Sequence, residues 1–194
     1  MRGLGLIVVL LWAPPASAAD IVDHFKTYLA GYKGSFEFLQ DGADKALAPN
    51  SARQVVVDRG NGYVQISDSS GTDRVLTAAD YRKADGGEVL VVGSSDCADA
   101  CNFTIEFFAV AAGGLKPLAR EDMVPAVAPS RFIKAGGKGP SNAPTINYVP
   151  ARVGTGLTLK PWYGYEVEEQ MPKAVRESLQ DVVLNWDRAQ GHFR

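Results

Sequence analysis

The stretch Glu88-Val89-Leu90-Val91-Val92-Gly93-Ser94-Ser95-Asp96-Cys97-Ala98-Asp99-Ala100-Cys101-Asn102-Phe103-Thr104-Ile105-Glu106-Phe107-Phe108 decides the fold. Its first part, residues 88–93, is a short apolar run rich in β-branched side chains, the composition of a strand. After the cysteine loop, Phe103, Ile105 and Phe107 alternate with Thr104 and Glu106, a period of two. The gap between the two segments is too short for a crossover helix, so the strands run antiparallel. The same logic extends outward. Asp85-Gly86-Gly87 reverses the chain into Glu88, and Gly113-Gly114 turns it into residues 115–118. Upstream, residues 54–58 and Tyr63-Val64-Gln65-Ile66 flank the turn Arg59-Gly60-Asn61-Gly62, the pattern of a hairpin. Ser69-Ser70-Gly71 then leads into residues 74–77 and on to Tyr81. Short gaps throughout predict an α+β chain built on an antiparallel meander, not βαβ units.

Residues 20–32 carry Ile21, Val22, Phe25, Tyr28, Leu29 and Tyr32 on one helical face, with Lys26 and Thr27 on the polar side. Asp20 is placed to cap the first turn and Gly31 to help end the last. This predicts an N-terminal amphipathic helix lying on the sheet, with His24 beside the apolar stripe as a partly buried structural residue. From residue 35 the period changes to two, Phe36 and Phe38 flanking Glu37. Residues 121–144 contain Pro125, Pro129, Pro140 and Pro144 with Gly136, Gly137 and Gly139, a loop with at most a short strand at 131–134. Strands resume at 145–148 and 156–160. Pro172 suits the first turn of a short C-terminal helix containing Val175 and Leu179. The spacing of Val182, Val183 and Trp186 allows that helix to continue; a short helix followed by a hairpin ending at His192-Phe193 is the preferred reading. No 20–50-residue period repeats, which excludes solenoids and propellers.

The whole chain has 46% hydrophobic and 22% charged residues, enough apolar side chains for a core and too mixed a pattern for disorder. Met1-Arg2, an apolar run over residues 4–12 and the small-residue site Ala16-Ser17-Ala18 have the three-part form of a signal peptide. Cleavage after Ala18 leaves residues 19–194 as one exported domain, periplasmic or secreted, with no cysteine at the new terminus for lipid attachment. The leader contains Arg2 and no acid, so one of the 20 basic residues is lost against all 22 acids, a net charge of −3. That balance excludes a strongly basic nucleic-acid binder. No later apolar stretch reaches the ~20 residues of a membrane helix, so no membrane span is expected.

In an oxidising compartment Cys97 and Cys101, the two cysteines of the chain, read most simply as one structural disulfide. The alternative is a thiol-redox or copper-binding pair, since thiolates select soft metals. The Cys-x3-Cys after an apolar strand is similar to the copper-delivering members of the thioredoxin superfamily. There the motif continues with Pro into a helix and a distant His completes the site; here Asn102 follows, the next residues alternate like a strand, and His24 and His192 lie at opposite ends. Residues 85–108, with Trp186-Asp187-Arg188 and Gly191-His192-Phe193, resemble small exported proteins of Gram-negative bacteria that join an Asp-Gly turn, an apolar strand, a Cys-x3-Cys loop and an aromatic strand. The resemblance implies export and the disulfide, and assigns no catalytic residue.

Catalytic motifs are missing. There is no Gly-x-Ser-x-Gly elbow, no His-Glu-x-x-His and no calcium loop, and Gly136-Gly137-Lys138-Gly139 lacks the earlier Gly and the following Ser/Thr of a phosphate loop. The acids Asp96 and Asp99, Glu121-Asp122, and Glu166, Glu168 and Glu169 fall in no arrangement that marks a site; acidic clusters of this kind are solvated faces. No catalytic residue, metal or cofactor is therefore assigned. The candidate binding surface is Pro161-Trp162-Tyr163-Gly164-Tyr165, in which Trp162, Tyr163 and Tyr165 suit stacking on sugar rings or gripping a partner. The more ordinary reading is that Trp162 or Tyr163 packs into the core, with Tyr165 continuing a strand. The expectation is a non-enzymatic binding or interaction protein whose partner is an envelope protein or a glycan. Besides the thiol or copper reading, a third possibility is an inhibitor of a cell-wall hydrolase acting through residues 135–143.

Overall fold

The computed structural model describes residues 20–34 and 36–194, so the expected signal peptide lies outside the described residues. Six antiparallel strands follow one another in chain order across one sheet: β1 (Arg53–Asp58), β2 (Tyr63–Asp68), β3 (Asp73–Arg82), β4 (Glu88–Cys97), β5 (Cys101–Ala111) and β6 (Gly114–Leu118). This is the meander expected from the turn signals. A single sheet, however, is not what forms. β7 (Thr145–Pro150), β8 (Gly156–Trp162), β9 (Val182–Asp187) and β10 (His192–Phe193) build a second, four-stranded antiparallel sheet in the order β10-β9-β8-β7. The reason lies in β4. Its unbroken apolar run needs cover on both faces, since Val89, Leu90, Val91 and Val92 are all at most 1% exposed.

The two faces separate by residue parity. Val89, Val91 and Phe107 pack against Tyr148, Leu157, Leu159, Val182 and Leu184 of the second sheet. Leu90 and Val92, with Val64, Ile66 and Leu76, pack instead under α1 (Ile21–Ala30), where they meet Ile21, Phe25 and Leu29. Asp20 caps α1, its carboxylate accepting from the Val22 and Asp23 amides. The layers are helix, six-stranded sheet, four-stranded sheet. An edge-to-face cluster of Tyr81, Trp186 and Phe193 closes the core at β10, the Trp186 indole donating to the Arg82 carbonyl at 2.9 Å.

Three local expectations are revised. No strand forms over Glu37 and Phe38: α2 (Glu37–Gln40) and α3 (Ala43–Ala46) follow α1, and Phe36 and Leu39, three apart as a helical turn requires, are both buried. Residues 129–132 form a 3₁₀ turn that buries Phe132, with a lone bridge from Ile133 to Leu179 in place of a strand. It follows α4 (Arg120–Met123). At the C-terminal end, α5 (Tyr165–Gln170) and α6 (Lys173–Ser178) are short, and Pro172 caps α6. Tyr165 thus opens a helix and does not continue β8. The chain is extended again by Val182, where pairing with β8 buries Val182, Leu184 and Trp186 and excludes a longer helix.

Candidate ligand-binding cleft

Cys97 and Cys101 stand opposite each other where β4 turns into β5, and they are disulfide-bonded. Trp162, at the end of β8, sets its ring edge-to-face against Phe103 (5.7 Å) and Tyr165 (5.6 Å). The Tyr165 hydroxyl reaches Cys101 Sγ at 3.5 Å. Two of the three aromatics singled out from the sequence are therefore brought together over the disulfide hairpin. The Tyr163 backbone amide donates to the Glu168 carboxylate at 3.2 Å. Tyr165 remains 49% exposed. Among the described residues, no three His, Cys, Asp or Glu side chains gather as metal ligands. His24 sits on the buried face of α1, where Nδ1 lies 3.0 Å from Asp80 Oδ2.

On the opposite face of the six-stranded sheet lies a cleft of about 840 Å³. Its origin can be followed along β4. The even-numbered side chains facing the helix layer are first apolar, Leu90 and Val92, then polar, Ser94 and Asp96. The change marks where α1 stops covering the sheet. Their partners on β5 are Phe108, Glu106, Thr104 and Asn102 in register. These side chains form the floor. The wall is the last turn of α1 and the segment after it, Tyr28, Tyr32, Lys33 and Phe36, and the far rim is Gly113, Gly114 and Leu115.

The wall is aromatic and continuous: Tyr28 meets Phe108 edge-on at 5.6 Å, Tyr32 lies 5.8 Å from Tyr28, and Phe36 lies 6.4 Å from Tyr32. The floor is largely pre-organised. Tyr28 donates to Glu106 Oε2 at 2.6 Å, and burial beside that carboxylate raises the phenol far above its ordinary value. Ser94 and Thr104 hydroxyls share a 2.6 Å hydrogen bond. Asp96 accepts from Thr72 at 3.0 Å and from Arg74 at 3.4 Å, and the Arg74 guanidinium lies 6.0 Å from the centre of the Phe36 ring. Asn102 and Lys33 are exposed at the lining.

The sequence reading did not identify this site. Thr104 and Glu106 look like the solvated face of a strand, and Tyr28 and Tyr32 look like core. The one signal available is the apolar-to-polar change along the even positions of residues 90–96. Chemically, the lining holds hydrogen-bond donors and acceptors opposite aromatic rings, and it contains neither His nor Cys.

No protein-family model and no curated protein matches the sequence. Among solved structures, the chain is similar to a domain of an uncharacterized protein from Porphyromonas gingivalis W83, with a TM-score of 0.55 over 88% of this chain and 96% of that one. At 11% identity the likeness concerns the fold alone.

Proposed function

We propose that this chain is an exported, non-catalytic binding protein that receives an envelope glycan or protein segment in the cleft between α1 and β4–β5. The observation that carries the reading is the cleft itself. Its volume lies within the roughly 300–1,000 Å³ of small-molecule sites, and it sets an aromatic wall against a floor of convergent polar groups. Its acids argue against hydrolysis. Asp96 pairs with Asn102, four residues before Glu106, which separates the two carboxylates by about 13 Å along the strands. A glycosidase pair needs about 5–9.5 Å. Asp96 is also engaged by Arg74, and Glu106 by Tyr28. Trp162 and Tyr165 take a supporting role in this reading, bracing the disulfide hairpin, because the Trp162 ring already has an aromatic partner on two sides.

The test is photo-crosslinking in cells that make the protein, with a photoreactive residue placed at Lys33 on the cleft rim and, separately, at Val183 on the outer sheet. A discrete adduct from Lys33 that is absent from Val183 supports the reading. Equal or no labelling from the two positions refutes it.

A further inference from the structure

We infer that the cleft takes an uncharged oligosaccharide, an inference that rests on the cleft being the binding site. The charges of the lining point to a neutral ligand. Asp96 is compensated by Arg74, and the lining holds one further carboxylate, Glu106, and one ammonium, Lys33. Such a site has no excess of either sign with which to draw a strongly charged peptide or a phosphate. What it offers is mixed hydrogen bonding: the Asn102 amide donates and accepts, Glu106 keeps one oxygen outside its bond to Tyr28, and the hydroxyl pair of Ser94 and Thr104 lies between them on the floor. A ring with hydroxyls around its edge and an apolar face needs that combination of polar floor and aromatic wall. A protein segment added as a further strand would need unpaired backbone along a sheet edge, and β4 and β5 are interior strands paired on both sides. The floor from Asn102 to Phe108 runs for about 20 Å, long enough for several linked rings.

The test uses the exported chain labelled with ¹⁵N and titrated separately with cellotriose, maltotriose and chitotriose. Saturable amide shifts at Tyr32, Asn102 and Thr104 with at least one trisaccharide are expected. Asn102→Ala, whose side chain is exposed, should weaken binding by up to about tenfold, the equivalent of one hydrogen bond. Affinity should change by no more than a factor of about two to three between low and high ionic strength, as a neutral ligand requires. If none of the three binds at millimolar concentration while the Lys33 crosslink still captures a polypeptide, the glycan inference falls and the cleft reading survives. Sugar-induced shifts confined to the Trp162 face overturn both, as does the absence of both shifts and crosslink.

Discussion

The carbonyl oxygen of Tyr148 lies 2.5 Å from the point that a Cβ on Gly93 would occupy, and Pro150 Cδ lies 3.1 Å from it. β7 therefore crosses β4 at a contact that only glycine permits, and Gly93 sets how closely the two sheets approach. Gly93 sits mid-strand, paired with Thr77 and Ile105, so its backbone has no room to yield without breaking two ladders. Gly93→Ala should cost about 1–3 kcal/mol through overpacking. Urea unfolding of the variant checks this: the midpoint should fall, and an unchanged midpoint would show that β7 can retreat.

The first sheet and α1 are readable because their information is local. Turn residues and a period of two mark β1 to β6, and the spacing from Ile21 to Leu29 marks the helix. The strands at 145–148 and 156–160 and the closing hairpin are readable too, but their separation into a second sheet is not, because β8 and β9 pair across two short helices and a strand's period does not say what covers its second face. Phe36 and Phe38 favour a strand over α2 because two aromatics two apart mimic an alternation, while Phe36 and Leu39 enter the core at helical spacing. The cleft is least readable of all. It depends on α1 ending at Ala30, before the polar half of β4, and that length relation joins residues some seventy positions apart.

His24 and Asp80 form the polar contact beneath α1, at 3.0 Å, with Asp80 Oδ1 buried and unpartnered. Burial raises the Asp80 carboxyl from 3.8 to about 6, against the opposing pull of His24. A group whose folded value is raised holds its proton more tightly in the folded chain. Its stabilising contribution is complete below about pH 4 and is lost as the pH rises through about 6. Asp80→Asn removes that titration, so the stability of the variant relative to the parent should rise between pH 4 and 6. Thermal unfolding across this window measures the difference, and a flat difference would exclude Asp80 as the titrating group.

The disulfide closes a ring of only five residues, so the chain-entropy model assigns it about 2 kcal/mol. Cys97→Ser with Cys101→Ser should lower stability by about that amount while leaving the β4–β5 ladder intact, because the strands are already paired up to the turn. Reductant should lower the parent to the level of the double variant. A reduced parent that binds copper(I) tightly and regains its stability would instead establish the pair as a metal site.

Tyr28 links stability to the cleft, because its hydroxyl fixes the Glu106 carboxylate at 2.6 Å while its ring packs on Phe108. Tyr28→Phe keeps the ring and removes the donor. Glu106 is exposed and can turn to water, so the stability cost should be about 1.5 kcal/mol, the lower end for a hydrogen bond to a charged group. Glu106→Gln keeps an acceptor for Tyr28 and removes the charge. If the ligand donates to the Glu106 oxygen that Tyr28 leaves open, Glu106→Gln should weaken trisaccharide binding more than Tyr28→Phe, because Gln turns a donating amide nitrogen to the ligand while Tyr28→Phe leaves both carboxylate oxygens in place. Unchanged affinity in Glu106→Gln would show that the ligand does not donate to this carboxylate.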